Sequence, residues 1–255
     1  MEIIDTHCHL DFEVFDIDRD TVLENARQRG VHGFVIPGVM QSTWQSLIAL
    51  CDQSPDMYYA LGMHPMFMGS HRLQHIEDLK ELVNQTNPVA IGEIGLDFYE
   101  KSTNKEDQLS LLESQLRFAC EVYLPVILHV RKAHEEILNA LKKYPVCGGV
   151  VHAFNGSIQQ AERYQSHHFK LGFGGMLTYE RSSKLRGLAQ ALPLSAMVLE
   201  TDSPDMTVVQ HRGERNSPEY LSYCLQSLAQ VKSMSLNEVA AATTANAREI
   251  FNLTN

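Results

Sequence analysis

The sequence predicts an α/β fold of the TIM-type (β/α)8 barrel class, and three observations lead to this prediction. The chain has 255 residues, and barrels of this type commonly take about 250. Short apolar or β-branched runs alternate with longer helical patterns, as in the units that build a parallel sheet. Two further helical stretches follow the eighth run. We therefore expect a single domain over residues 1–255, with additional C-terminal helices.

Eight segments have the character of buried parallel strands, because each is a short apolar or β-branched run. Glycine and proline interrupt several of the intervening stretches and separate one run from the next. In chain order the predicted strands are Ile3–Thr6, Gly33–Val39, Tyr58–Gly62, Val89–Gly95, Val126–Val130, Gly149–Ala153, Lys170–Gly174 and Met197–Thr201.

Helical patterns lie between these runs and after the last one. Gly30 follows the first helix as a C-cap, and Ser235 with Glu238 forms a capping box that begins the final helix. The irregular stretch Pro204–Pro218 follows the eighth strand, a position where barrels carry functional loops. The predicted helices are Asp20–Arg29, Ile76–Gln85, Asp107–Val122, Ala133–Lys143, Ile158–Gln165, Ser183–Leu192, Pro218–Val231 and Leu236–Phe251.

The charge balance limits the kinds of partner. The chain has 31 acidic and 21 basic residues, a formal net charge of −10, and no basic cluster of the kind that follows duplex DNA. Any contact with nucleic acid should therefore be local, through bound metal ions and a few arginines. Five widely spaced cysteines indicate a reduced cytoplasm. We expect no signal peptide, no membrane segment and no obligate protein partner.

Six potential metal ligands fall at or near the ends of predicted strands. In a parallel barrel these ends converge on one mouth, so residues that are distant in sequence can meet there. An isolated His-x-His pair is weak support for a metal site, but six such residues at strand ends indicate a metal centre. The candidate ligands are His7, His9, Glu93, His129, His152 and Asp202.

The ligand types suit divalent cations without selecting one among Zn, Mg, Mn, Co and Ni. Glu93 can place one oxygen on each of two ions, which permits a binuclear site with the ions roughly 3.5–4 Å apart. We therefore expect two divalent cations per chain. Asp202 is also the expected acceptor of the attacking water's proton. Glu200, two residues earlier, either shapes the surroundings of the metal site or is a structural partner of a histidine or a loop amide.

Several motifs together resemble the successive signatures of the TatD family, from the first residues to the last helix. The Asp202–Met206 stretch is most similar to that family's YjjV subgroup. The motifs are Asp5-Thr6-His7-Cys8-His9-Leu10-Asp11, Gly62-Met63-His64-Pro65, Gly92-Glu93-Ile94-Gly95-Leu96-Asp97, Pro125-Val126-Ile127-Leu128-His129, Val151-His152-Ala153-Phe154, Leu199-Glu200-Thr201-Asp202-Ser203-Pro204 and Arg215-Asn216-Ser217-Pro218.

This resemblance implies a metal-dependent hydrolase with a TIM barrel, commonly described as a deoxyribonuclease that acts on DNA ends. It implies that one ion is held by His7, His9 and Asp202, that the other is held by His129 and His152, and that Glu93 bridges them. The chain departs from the family at Ala153 and Asn155, where Cys and Ser are more frequent. Since neither position is a ligand, the departure concerns substrate contacts.

Four further residues are candidates for substrate contact or proton transfer. Arg131 follows His129 by two residues and would face the same mouth, where it can meet a phosphate. Arg215 in the last loop is a second candidate for phosphate binding. Ser157 precedes a predicted helix whose amides can bind an anion, or is a simple N-cap. His64 is not needed for the six-ligand set, so we expect it to act catalytically in proton transfer or to contact substrate.

Three classes of function remain open at this point. The first is a TatD-type deoxyribonuclease that cleaves phosphodiester bonds at DNA ends, or a hydrolase of a small phosphoester. The second is an amidohydrolase-type esterase, amidase or lactonase that uses the same binuclear site. The third is a non-catalytic metal-binding protein, whose ligands would leave no position for water. The absence of an evident bridging lysine favours the first class over the second.

Overall fold

A computed structural model of the chain describes residues 1–72, 74–99 and 104–253. It contains one parallel sheet of eight strands, in which neighbours along the chain are also neighbours in the sheet. The backbone N–H of Thr6 donates to the carbonyl of Leu199 at 3.0 Å, which brings the first and last strands together in a nearly closed barrel. The strands are β1 (Ile3–Asp5), β2 (Val31–Pro37), β3 (Met57–Leu61), β4 (Ala90–Asp97), β5 (Val126–Arg131), β6 (Gly149–Val151), β7 (Phe169–Phe173) and β8 (Met197–Leu199).

Helices connect the strands, and two more follow β8, so the predicted fold class is confirmed. Among the described residues, no helix has both the length and the apolar composition needed to cross a bilayer. The helices are α1 (Arg19–Gln28), α2 (Trp44–Cys51), α3 (Gln74–Gln85), α4 (Lys105–Val122), α5 (His134–Lys143), α6 (Ile158–Ser166), α7 (Ser183–Ala191), α8 (Leu221–Lys232) and α9 (Leu236–Phe251).

The predicted strand bounds differ from the observed ones by at most two residues. Strand β6 ends earlier than predicted because Ala153, the last residue of the predicted strand, has a positive φ value of 45°, which an extended strand cannot accommodate. Strand β8 also ends two residues earlier than predicted, at Leu199. Helix α2 was not among the predicted helices. Its eight residues, Trp44–Cys51, follow Thr43 at the N-cap position, but the Thr43 side chain makes no capping hydrogen bond, and eight residues give only about two turns of helical periodicity.

The barrel interior is filled by one small cluster of inward-facing side chains from seven of the strands. This cluster includes Ala247 and Phe251 of α9, so the last helix packs against one end of the barrel. A larger apolar core lies between the strands and the surrounding helices. Since α9 contacts one end, the polar residues at the carboxyl ends of the strands are left to form the opposite mouth.

Candidate metal centre

The predicted ligands converge at the carboxyl end of the barrel. Glu93 lies on β4 and His129 on β5, whereas the other four follow the ends of β1, β6 and β8 by one to four residues. The side chains are largely buried, with exposed fractions from 0% at His7 to 17% at Asp202. The sequence therefore predicted correctly that strand ends bring distant residues together.

One group of three side chains joins the segments after β1 and β8. The Nε2 atoms of His7 and His9 are 3.3 Å apart, and they lie 3.7 and 3.8 Å from Oδ1 of Asp202. This is the same set of three residues that the family resemblance assigns to one ion. The donor atoms lie within 4.8 Å of one another, a spacing that suits a single cation.

Glu93 lies at the centre of the whole cluster. Its Oε2 is 3.2 Å from Nε2 of His7 and 3.7 Å from Nε2 of His9. Its Oε1 is 3.2 Å from Nε2 of His64 and 3.1 Å from Nδ1 of His129. The two oxygens of one carboxylate thus face two different pairs of histidines, which is the geometry required of a bridging ligand.

The grouping on the second side of Glu93 differs from the one that the resemblance implies. His129 is grouped with His64 and Glu93, whereas His152 is grouped with His7 and Glu93. The ring centroids of His129 and His152 are 6.4 Å apart. His64, expected outside the ligand set, is therefore a seventh potential donor.

Asp5 connects the ends of β1 and β8 beneath the cluster. Its Oδ1 accepts hydrogen bonds from the backbone N–H groups of His7, at 3.3 Å, and Thr201, at 2.9 Å. Its Oδ2 is 2.6 Å from Oγ1 of Thr201. Burial raises the pKa of Asp5 to about 8. No role for Asp5 was predicted from the sequence, although it lies two residues before His7 in the first motif.

Glu200 lies against His152 and the segment that follows it. Its Oε1 is 3.1 Å from Nδ1 of His152 and accepts a 2.6 Å hydrogen bond from the amide of Ala153. A Cβ atom at Gly172 would lie 2.0 Å from Oε2 of Glu200, so only glycine leaves room for this carboxylate. Burial alone would lower the pKa of His152, but Glu200 and Asp202 outweigh it and raise that pKa to about 10.

Asp97 is a second acidic residue for which no role was predicted from the sequence. Its Oδ2 is 3.1 Å from Nε2 of His129 and 3.8 Å from the guanidinium of Arg131. Arg131 lies as predicted at the mouth, 45% exposed, with its guanidinium 3.7 Å above the ring of Tyr99. The spacing could have indicated a role for Asp97, since Glu93 and Asp97 are four residues apart on one strand and therefore share a face.

The other two predicted substrate contacts are engaged within the protein. Ser157 caps α6: its Oγ accepts from the amide of Gln160 at 3.1 Å, and its own amide donates to the Gln160 side chain at 3.0 Å. The guanidinium of Arg215 pairs with Asp18 at 2.6 and 3.0 Å and donates to the carbonyl of Val14. Both findings favour structural roles over the predicted phosphate contacts, because the donors are already used.

The electrostatics of the cluster suit a cation. Burial and the neighbouring His7 lower the pKa of His9 to about 3, so its ring is neutral and keeps a lone pair for a ligand. Burial would raise the pKa of Glu93, but His64 and His7 hold it well below the usual value, so Glu93 is a carboxylate. Among the described residues, Nδ1 of His7 and His9 are buried without hydrogen-bond partners. The mixed nitrogen and oxygen donors fit a divalent transition metal.

The chain matches a known family over nearly its whole length. The family described as "TatD related DNase" matches residues 4–252. The chain is 38% identical to the uncharacterized metal-dependent hydrolase YjjV of Escherichia coli K12, over 98% of each chain. The crystal structure of that TatD homolog superposes with a TM-score of 0.95, covering 99% of this chain and 98% of the other.

A relative from Erwinia tasmaniensis named "3'-5' ssDNA/RNA exonuclease TatD" is 34% identical, over 94% of this chain and 95% of its own. The family match covers nearly the whole chain, and a relative above 30% identity does so as well. The chain therefore belongs to the TatD family and is a metal-dependent hydrolase.

Proposed function

We propose that the chain is a deoxyribonuclease that hydrolyses phosphodiester bonds near an end of single-stranded DNA. The family description names a DNase, and one relative is named as an exonuclease of single-stranded DNA and RNA. Two divalent cations would be held by ligands drawn from His7, His9, Glu93, His129, His152 and Asp202, with His64 as a further donor beside Glu93 and His129.

The observation that carries this proposal is the position of Glu93 between two pairs of histidines. Its oxygens lie 3.2 Å from His7 and 3.1 Å from His129, so one carboxylate can contact both ions. Two divalent cations, when bound, polarise a phosphoryl group and lower the pKa of water. The protein's own contribution is to fix these donors in a buried site before substrate arrives.

Asp202 is suited to accept a proton during hydrolysis. Its Oδ1 faces His7 and His9, and its Oδ2 lies 3.6 Å from Nε2 of His152. Burial raises the pKa of Asp202 in the metal-free protein, and a carboxylate at this position lies within the cluster where it can accept a proton from a bound water. Its side chain is 17% exposed, so the proton can leave toward the mouth.

Arg131 is suited to hold the phosphate. Its guanidinium stacks on Tyr99 and lies 3.8 Å from Asp97, so its position at the mouth is restrained. A restrained guanidinium can donate paired hydrogen bonds to phosphate oxygens. This combination favours a phosphodiester over the neutral esters and amides that an amidohydrolase-type enzyme would cleave.

The proposal is tested by comparing chelated and metal-reloaded protein on two substrate classes. End-labelled single-stranded DNA and a panel of neutral esters and lactones are incubated with the same preparations. We expect metal-dependent shortening of the DNA from an end and no comparable turnover of the neutral esters. Turnover of the esters alone would overturn the nuclease proposal and support the amidohydrolase alternative.

A further inference from the structure

A cavity of about 820 Å³ opens beside the metal centre. Its lining includes His129, His152 and Asp202 from the centre, and it extends to the segment between β7 and the first turn of α7. A volume in this range is typical of pockets that enclose most of a small organic ligand. The cavity therefore offers room for much more than the group that is hydrolysed.

The charge around this cavity is the reverse of the charge of the whole chain. Three basic side chains line it, Arg131, Arg181 and Lys184, and among its described lining residues Asp202 is the only carboxylate. The chain as a whole has 31 acidic and 21 basic residues. Since Asp202 is a candidate metal ligand, the rest of the cavity is basic and suits an anion.

One wall of the cavity is apolar. It is formed by Phe154 from the segment after β6, by Met176 and Leu185 around the β7–α7 connection, and by Met206 after β8. Phe154 is 1% exposed and supports this wall from within the core, whereas the half-buried side chains of Met176, Leu185 and Met206 form its accessible surface. A flat apolar group can pack against such a wall while charged groups remain at the basic rim.

Two of the basic residues lie away from the metal centre along the chain and belong to the β7–α7 region. Lys184 donates a 3.0 Å hydrogen bond to the carbonyl of Asn155, which connects α7 with the segment after β6. Arg181 is 5.3 Å from the ring centroid of Tyr179. Among the described residues, neither forms an ion pair with a carboxylate, so both keep donors for an anionic ligand.

We propose that this cavity binds the nucleotide next to the scissile phosphate. Its base would pack against Met176 and Leu185, and the following phosphate would be bound by Arg181 and Lys184. This inference rests on the proposed function and deepens it. It specifies a DNA strand with at least two consecutive phosphates as the preferred substrate, in place of an isolated phosphoester.

The test compares a substrate that has the second phosphate with one that lacks it. The substrates are a thymidine trinucleotide and thymidine 5′-(4-nitrophenyl phosphate). The variant is Arg181→Gln/Lys184→Gln. The matched control is Lys142→Gln/Arg163→Gln, which removes the same charge from helices α5 and α6 outside the cavity lining. Circular dichroism checks that all proteins are folded.

The measured quantity is the ratio of kcat/KM on the trinucleotide to kcat/KM on the nitrophenyl ester. We expect the cavity variant to lower this ratio by about tenfold or more, mainly through KM, because each lost charge-assisted contact is worth about that factor. The control should leave the ratio unchanged. Binding of fluorescein-labelled dT5 is measured by fluorescence anisotropy in EDTA at several salt concentrations. The slope of the logarithm of the binding constant against the logarithm of the salt concentration should become shallower by about 0.7 for each phosphate contact that the variant removes.

The possible failures can be told apart. If wild type cleaves neither phosphoester, the proposed function fails. If wild type cleaves both and the cavity variant keeps the wild-type ratio and salt slope, the nuclease function stands and the subsite is overturned. Equal loss on both substrates would mean that the variant damages the metal centre, and this outcome also contradicts the subsite.

Discussion

Oδ2 of Asp97 lies 3.1 Å from Nε2 of His129, while Nδ1 of the same ring faces Glu93 at 3.1 Å. The imidazole is therefore held on both sides by carboxylates. A carboxylate behind a ligating histidine fixes the ring orientation and increases its basicity. Asp97 also lies 3.8 Å from Arg131, so one residue contacts both a candidate ligand and the candidate phosphate-binding residue.

Asp97→Asn should weaken metal binding because the variant cannot supply the negative charge behind His129. Loss of such a partner typically costs about 10- to 100-fold in metal affinity. Titration calorimetry with Mn²⁺ or Zn²⁺ would measure the change. Asp107→Asn on α4, where the carboxylate is exposed, is the matched control and should bind as wild type does. Unchanged affinity in Asp97→Asn would contradict this positioning role.

Metal affinity should rise with pH. Without metal, Glu200 and Asp202 outweigh burial and raise the pKa of His152 to about 10, so the ring is protonated at neutral pH. A metal must displace this proton, and each displaced proton gives about a tenfold gain in affinity per pH unit below that pKa. Dissociation constants measured between pH 6 and pH 9 would test the trend.

The sign of this pH dependence also predicts the behaviour of Glu200→Gln. Removing that negative charge should lower the pKa of His152, so the variant should show a shallower rise of affinity over the same pH range. A wild-type affinity that is independent of pH would show that His152 carries no displaceable proton.

Asp202→Asn should lower kcat far more than it raises KM, because a proton acceptor acts mainly in the chemical step. Loss of a general base typically costs about 10²- to 10⁴-fold in rate. Steady-state kinetics must be accompanied by metal analysis, since Asp202 lies within 4 Å of three histidines. A raised KM with an unchanged kcat would instead identify Asp202 as a substrate contact.

Arg131→Ala should lose about 1.5 kcal/mol of transition-state stabilisation on a phosphodiester, measured as a lower kcat/KM. This is the lower end for charge-assisted hydrogen bonds, since the side chain is 45% exposed. Arg131→Lys keeps the charge but not the planar fork and should recover part of the loss. The second substrate is the neutral ester of the panel with the highest residual turnover. Equal losses on both substrates would mean that Arg131 supports the site through Asp97 and Tyr99 and does not bind phosphate.

Much of the site could be predicted because parallel strands end at one mouth. His7, Glu93 and Asp202 were predicted together from their strand positions alone, and their donor atoms lie within a few ångströms. The grouping of His64 with Glu93 could not be predicted in this way. It depends on the backbone after β3, where His64 and Pro65 begin a 3-10 turn.

Arg215 and Ser157, the two expected phosphate contacts that the structure disfavours, could not be assigned from the sequence for a different reason. Arg215 pairs with Asp18, which is 197 residues distant, and no local pattern reveals such a pair. Ser157 could be interpreted either as an N-cap or as part of an anion site. The presence of Gln160 three residues later is a capping-box signal, and the structure contains that capping box.

Whether Glu93 bridges two catalytic cations is tested most directly by measuring metal content and turnover together on wild type and Glu93→Gln. We expect wild type to contain two ions per chain and to shorten end-labelled single-stranded DNA. The variant should lose at least one ion and most of its turnover while it keeps the wild-type circular dichroism spectrum. Two ions per chain with full turnover in Glu93→Gln would contradict the bridging role.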